Sequence, residues 1–76
     1  MLDHKKAMNL WEQTYGKVAE ARDARGRLMY KAAYGQKGSK YGWDVHHKRP
    51  KKQGGTDTFD NLEIVHMRTH DELHNR

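Results

Sequence analysis

Apolar side chains recur at approximately helical spacing near the start of the chain, at Ala7, Leu10, Trp11 and Val18. This period predicts an amphipathic helix over residues 3–15. Asp3 is a suitable N-cap for it, and Gly16 is a natural end.

Residues 17–34 allow two interpretations. The run Asp23-Ala24-Arg25-Gly26 predicts a type I turn with its glycine in the left-handed position, which would pair residues 18–22 with residues 27–30 as a hairpin. The same residues can instead continue as a helix that Gly26 terminates. We favour the hairpin. A polar, glycine-rich connector follows over residues 35–42.

The second half of the chain begins with alternating apolar and polar residues over 43–46, which predicts a short strand. Residues 48–60 contain a proline and two adjacent glycines and are predicted to form a long loop. Loops of this length without structure of their own are usually functional or disordered. Leu62, Ile64 and Val65 predict a second strand.

A C-terminal helix is predicted from near Thr69, or up to one turn earlier, to about Asn75. Its start is inferred from a capping box, in which Thr69 would bond forward and Glu72 would reach back. The predicted order in this half is therefore strand, loop, strand, helix.

Composition predicts one small domain over residues 1–76 that needs more than its core to fold. The chain is 34% hydrophobic and 33% charged, so core burial alone gives marginal stability. The absence of cysteine excludes disulfides and cysteine-ligated zinc, which leaves a histidine-bound metal or an oligomer interface. No apolar run has the length of a membrane span or a signal sequence, so we expect a soluble, cytoplasmic protein without a membrane partner.

The net charge of +5 is concentrated in a basic block over residues 36–52. Its cations are Lys37, Lys40, Lys48, Arg49, Lys51 and Lys52, with Asp44 as the one acid. Such a block suits a polyanionic ligand such as nucleic acid, although an ordinary solvated loop has the same composition.

Five of the six histidines fall within residues 46–74. His70 and His74 are four apart on the predicted helix and project from one face, a spacing that lets two imidazoles bind one metal ion. Alone, this spacing is a weak signal, because surface histidines often show it. A strand packed against the helix would bring His46 to the same point as a third ligand, leaving open coordination positions.

His47 follows His46 directly and would point to the opposite face of a regular strand. Both can line one cleft only where the strand ends, twists or bulges. A neutral imidazole can take a proton from an attacking water, so we predict that His47 is a general base. Asn61, at the far end of the loop, could orient it, although a turn or strand-start asparagine is about as common.

The motif from Trp43 to His74 resembles the HNH endonucleases, also called the His-Me finger or ββα-metal class. The resemblance rests on the elements Trp43-Asp44-Val45-His46-His47, Pro50, Gly54-Gly55, Asn61-Leu62, His70 and His74. The three-histidine arrangement is similar to the nuclease domains of DNase colicins and S-type pyocins. Upstream, Arg22-Asp23, Gly26-Arg27, Tyr34-Gly35 and Tyr41-Gly42-Trp43 resemble the lead-in of small bacterial and phage HNH proteins.

This resemblance implies an α+β fold: a ββα-metal motif over residues 43–75, preceded by a helix and a hairpin or connector over residues 1–42. It implies His46, His70 and His74 as metal ligands, His47 as general base and Asn61 as the residue that orients it. One divalent ion would stabilise the phosphate transition state and the leaving 3′-oxygen. Lys48, Arg49, Lys51 and Lys52 would hold the DNA backbone.

The expected function is a metal-dependent DNA endonuclease with low sequence specificity, bacterial or phage-encoded, that acts on double-stranded DNA. Three imidazoles should bind Zn²⁺, Ni²⁺, Co²⁺ or Mn²⁺ more tightly than Mg²⁺, and zinc is expected in the purified protein. A non-catalytic zinc-stapled DNA-binding module and an RNase or toxin effector on the same scaffold are alternatives. The oligomeric state, monomer or homodimer, stays open.

The chain departs from many HNH proteins in lacking cysteine pairs for a structural zinc. His66 falls where one such cysteine commonly lies. We expect it to be a half-buried residue at a strand end rather than a fourth ligand, and His4 to be a surface residue.

Overall fold

The computed structural model describes residues 2–74. Helix α1 (His4–Tyr15) is followed by a hairpin of β1 (Glu20–Arg22) and β2 (Leu28–Tyr30). A second pair, β3 (Trp43–His47) and β4 (Leu62–His66), leads directly into helix α2 (Met67–His74). Short 3₁₀ turns occupy Lys31–Ala33, Lys51–Gln53 and Phe59–Asn61. The predicted α+β class and the ββα order of the second half are confirmed.

Helix α1 begins and ends as its sequence predicts. The Asp3 carboxylate accepts a hydrogen bond from the backbone N–H of Lys6 at 2.9 Å, which caps the first turn. Gly16 follows the last residue with a φ of 87°. The helix buries its apolar face, whereas Val18 lies beyond the helix and is 44% exposed.

The hairpin interpretation of residues 17–34 is confirmed. β1 and β2 pair antiparallel, with Ala21 opposite Met29, and Gly26 closes the turn with a φ of 82°. The carboxylate of Asp23 accepts hydrogen bonds from the N–H groups of Arg25 and Arg27, both at 3.0 Å. The turn is therefore organised by an aspartate that is itself only 5% exposed.

The core lies between α1, the hairpin and the β3–β4 pair. Trp11 and Trp43 are fully buried with ring centroids 5.0 Å apart, and Met29 is buried beside them. Each indole N–H finds a backbone carbonyl, that of Val18 for Trp11 and that of Tyr30 for Trp43. These bonds satisfy the polar atoms that burial takes from water.

Helix α2 begins at Met67, within one turn of Thr69 as predicted, but the predicted capping box is wrong. The N–H of Met67 donates to the carbonyl of Gly42 at 3.0 Å. A residue distant in sequence therefore supplies the acceptor for an N–H group that has no partner within the helix. Thr69 is buried at 3% exposure, and its hydroxyl accepts from Arg27 rather than bonding forward. Asn75, the predicted end, lies outside the described residues.

Glu72, the other half of that predicted box, faces the hairpin instead of the helix start. Its two carboxylate oxygens accept from the two terminal nitrogens of Arg27 at 2.7 and 2.9 Å. This contact ties α2 to the turn of the hairpin. Neither described helix is long and apolar enough to cross a membrane.

Candidate metal centre and catalytic loop

Three histidines from two elements converge on one point. His46 lies on β3, and His70 and His74 lie one turn apart on α2. One ring nitrogen from each lies within 4.8 Å of the others, and the Nε2 atoms of His70 and His74 are 3.1 Å apart. The ring centroid of His46 is 5.9 Å from that of His70 and 5.8 Å from that of His74.

This donor set fits a divalent metal. Two ligands of a tetrahedral zinc ion at about 2.0–2.1 Å are separated by about 3.3 Å, close to the spacing of the two Nε2 atoms. Metal binding also needs neutral imidazoles. Partial burial lowers the pKa of His70, although the carboxylate of Asp44 acts in the opposite direction. The lowered pKa favours the neutral imidazole.

Asp44 lies beside this cluster, although the sequence pattern predicted no role for its side chain there. It is two residues before His46 on β3, so both side chains project from the same face of the strand. Its Oδ2 is 3.9 Å from Nδ1 of His70, the ring nitrogen that faces away from His74. A carboxylate placed there favours the ring orientation that directs Nε2 at a metal. The alternation of β3 was the signal that could have revealed it.

His47 is the last residue of β3 and lies in the same groove as the three histidines, together with Pro50 and Lys51. The strand ends here, which is one of the conditions under which adjacent histidines can share a cleft. Its Nε2 is 2.6 Å from Oδ1 of Asp57, a residue for which the sequence pattern predicted no role. The hydrogen bond from His47 lowers the pKa of Asp57, and Lys51 lowers it further.

The side chain of Asn61 makes its hydrogen bonds to Arg49 and Thr56, and the ring of His47 bonds to Asp57, so the direct hydrogen bond expected between Asn61 and His47 is not made. Its Oδ1 accepts from the N–H of Arg49 at 2.8 Å, and its Nδ2 donates to the carbonyls of Arg49 and Thr56 at 3.2 and 2.6 Å. The physical reason is that the backbone groups of a long loop have few hydrogen-bond partners within the loop, and the side-chain amide of Asn61 supplies three hydrogen bonds to them. Asn61 closes the loop.

The loop of residues 48–60 is therefore ordered by its own contacts. The glycine pair allows its two sides to meet: a Cβ on Gly55 would lie 1.7 Å from the carbonyl oxygen of Arg49. Gly54 has a φ of 85°, in the left-handed region that glycine occupies without steric cost. The closed loop brings Asp57 back to the end of β3, where His47 lies.

The four predicted DNA-contacting cations are all exposed on this loop. Two of them also make contacts within the protein. Nε of Arg49 donates to the carbonyl of Gln53 at 2.7 Å, and Nζ of Lys51 lies 3.4 Å from Oδ2 of Asp57. Among the residues that the structure describes, Lys48 and Lys52 have no acid within ion-pair distance.

The two remaining histidines take the predicted structural positions. His66 ends β4 half-buried, where its Nδ1 accepts from the N–H of Arg68 at 3.0 Å and its Nε2 is 2.7 Å from the carbonyl of Lys40. A carbonyl only accepts, so Nε2 carries the proton and both ring nitrogens are engaged. His4 is exposed at the start of α1.

Comparison with protein-family models gives a match to one described as HNH endonuclease, over residues 35–76. The matched segment is more than half of the chain and contains the histidine cluster, the loop and Asn61. No curated protein and no solved structure matches the chain significantly. The match supports the family and does not distinguish its subgroups, so the likeness to colicin and pyocin nucleases stays a prediction.

Proposed function

Because the chain belongs to the HNH endonuclease family, we propose that it is a metal-dependent DNA endonuclease, with residues 1–76 acting as one nuclease domain. His46, His70 and His74 are the metal ligands, and His47 is the general base. The observation that carries this proposal is His47 in the same groove as the three-histidine cluster. A purely structural metal site needs ligands but no base beside them.

The chemistry assigned to the chain is hydrolysis of a phosphodiester. Neutral His47 accepts a proton from water as the water oxygen forms a bond to phosphorus and the bond from phosphorus to the 3′-oxygen breaks. The leaving oxygen then takes a proton from solvent, which gives 3′-hydroxyl and 5′-phosphate ends. A divalent cation, when bound, supplies positive charge beside the phosphate and the leaving oxygen.

The metal is assigned as one divalent ion held by nitrogen donors. Three neutral imidazoles match Zn²⁺, Ni²⁺, Co²⁺ or Mn²⁺ better than Mg²⁺, which prefers oxygen ligands. We propose that zinc occupies the protein as purified. The ion that binds most tightly need not give the fastest turnover.

The substrate is assigned as double-stranded DNA from the exposed cations of the loop. Lys48, Arg49, Lys51 and Lys52 lie next to the metal groove, where they can contact phosphates on either side of the cut bond. Phosphate contacts carry no sequence information, so low specificity follows. Neither described helix is assigned to reading base edges: α1 buries its apolar face in the core, and α2 carries two of the proposed metal ligands.

Plasmid cleavage across a panel of divalent metals, beside elemental analysis of the purified protein, tests the proposal. Supercoiled DNA should become nicked or linear with metal and stay intact with EDTA. An RNA substrate in parallel separates a DNase from an RNase. If metal-loaded protein binds plasmid but leaves it intact with every ion, the non-catalytic zinc-stapled module is the correct function.

A further inference from the structure

We propose that Asp57 is the positioning residue for His47, through a hydrogen bond from Nε2 of the imidazole to its carboxylate. The inference rests on the proposed function, in which His47 takes the proton from water. It replaces the direct role expected for Asn61 with one for a residue that the sequence did not reveal.

The contact itself determines which nitrogen of His47 is basic. Nε2 of His47 and Oδ1 of Asp57 are 2.6 Å apart, and the imidazole is the better shielded partner, with side chains 19% and 41% exposed. An ionised carboxylate can only accept a hydrogen bond, so the neutral ring carries its proton on Nε2. Nδ1 is then the nitrogen that can accept a proton from water.

Asp57 is held in place from two sides. Nζ of Lys51 lies 3.4 Å from its second oxygen, Oδ2. Along the chain, the carbonyl of the preceding residue, Thr56, accepts the 2.6 Å hydrogen bond from Asn61. Asn61 therefore acts on His47 in two steps: it fixes the loop at Thr56, and the loop presents Asp57 to the ring.

The pair should matter for rate more than for folding. Ion pairs between partly exposed side chains add little to stability, because water screens the charges and ordering the side chains costs entropy. Fixing the tautomer and direction of a catalytic imidazole acts on the chemical step instead. A lower kcat without a loss of stability would therefore distinguish a positioning role for Asp57 from a purely structural one.

The kinetic test compares Asp57→Ala and Asp57→Asn with Asp60→Ala. Asp60 is an exposed aspartate of the same loop, in the turn Phe59–Asn61. Asp57→Ala should lower kcat about 10–100-fold with KM changed by less than about twofold, the range seen when groups that support a catalytic residue are removed. Asp57→Asn retains an acceptor oxygen and should recover most of the rate, and Asp60→Ala should match the parent.

A double mutant isolates the pair. If Asp57 acts through His47, adding Asp57→Ala to His47→Ala should not slow the residual cleavage further. A further loss equal to that of Asp57→Ala alone would show that Asp57 acts independently of His47 and would overturn the proposal. Melting curves of each variant identify any loss of rate that comes from unfolding.

Nitrogen-15 NMR of the His47 imidazole, in zinc-loaded protein, tests the contact without activity. The proton should reside on Nε2 in the parent and in Asp60→Ala, and should distribute over both nitrogens in Asp57→Ala. A proton on Nδ1 in the parent would overturn the proposal. If the parent cuts no DNA with any metal, the proposed function fails while this measurement still decides the contact. If the parent cuts and Asp57→Ala cuts equally fast, only the positioning role fails.

Discussion

His46 and His47 are neighbours in sequence, yet the structure gives them different surroundings. The extended backbone of β3 directs His46 toward α2, where it meets His70 and His74. His47 ends the strand and faces the loop, where it meets Asp57. A single strand end therefore supplies both a proposed metal ligand and a proposed base.

Replacing His70 with alanine should abolish stoichiometric metal binding, because two imidazoles of an open site bind far more weakly than three. Elemental analysis after dialysis measures the occupancy. His4→Ala is the matched control, since His4 is exposed at the start of α1 and should leave occupancy unchanged. Full occupancy in His70→Ala would contradict the ligand assignment.

Two elements that are distant in sequence, the hairpin turn and α2, are joined by a buried aspartate. Oδ1 of Asp23 accepts from the N–H groups of the turn, and Oδ2 accepts from the N–H of His66, which directly precedes α2, at 3.1 Å. This contact holds α2, and with it two of the proposed metal ligands, against the hairpin turn.

Asp23→Ala should lower the free energy of unfolding by about 3 kcal/mol, because it leaves three partly buried backbone N–H groups without their acceptor. Urea denaturation followed by tryptophan fluorescence measures it. Asp71→Ala, at an exposed position of α2, serves as the control and should change stability little. Equal midpoints for the two variants would show that this contact does not hold the helix.

The contact between Glu72 and the hairpin predicts a loss of stability in acid. The hydrogen bond from Arg27, with Arg25 adding to it, lowers the pKa of Glu72 from 4.5 to about 2. Because the folded pKa is depressed, the stabilisation is complete above about pH 4.5 and is lost as the pH falls toward 2. Melting temperatures across this window should fall less steeply for Glu72→Gln than for the parent. Parallel curves would contradict the contact.

Local pattern predicted most of these elements and missed what depends on tertiary contacts. The cap at Asp3, the turn at Gly26 and the spacing of His70 and His74 are properties of short segments. The capping box of α2 was predicted wrongly because Thr69 and Glu72 bond instead to Arg27, which is distant in sequence. The partner of His47 was missed for the same reason. The position of Asp57 depends on the path of a 13-residue loop, and that path is set by tertiary contacts rather than by a local sequence pattern.

The whole molecule has a small core, so metal binding should contribute to its stability. The three proposed ligands come from β3 and α2. An ion that binds only the folded state stabilises that state by about 2.7 kcal/mol at a free concentration 100 times the dissociation constant. In a domain of this size each kcal/mol shifts the melting temperature by about 4–8 °C. EDTA should therefore lower the melting temperature by about 10 °C or more, and zinc should restore it.

His70→Ala supplies the control for this effect. Its melting temperature should be low and should not respond to EDTA or to added zinc, because the site is incomplete. A parent protein whose melting temperature is the same with and without EDTA would contradict the coupling between metal and fold.

Single-turnover cleavage of a labelled DNA duplex by the parent and by His47→Ala, at equal metal occupancy and equal DNA affinity, tests the central claim most directly. The expected result is a rate at least about 100-fold lower for His47→Ala, the contribution of a general base to proton transfer. Cleavage by His47→Ala at the parent rate would contradict the account.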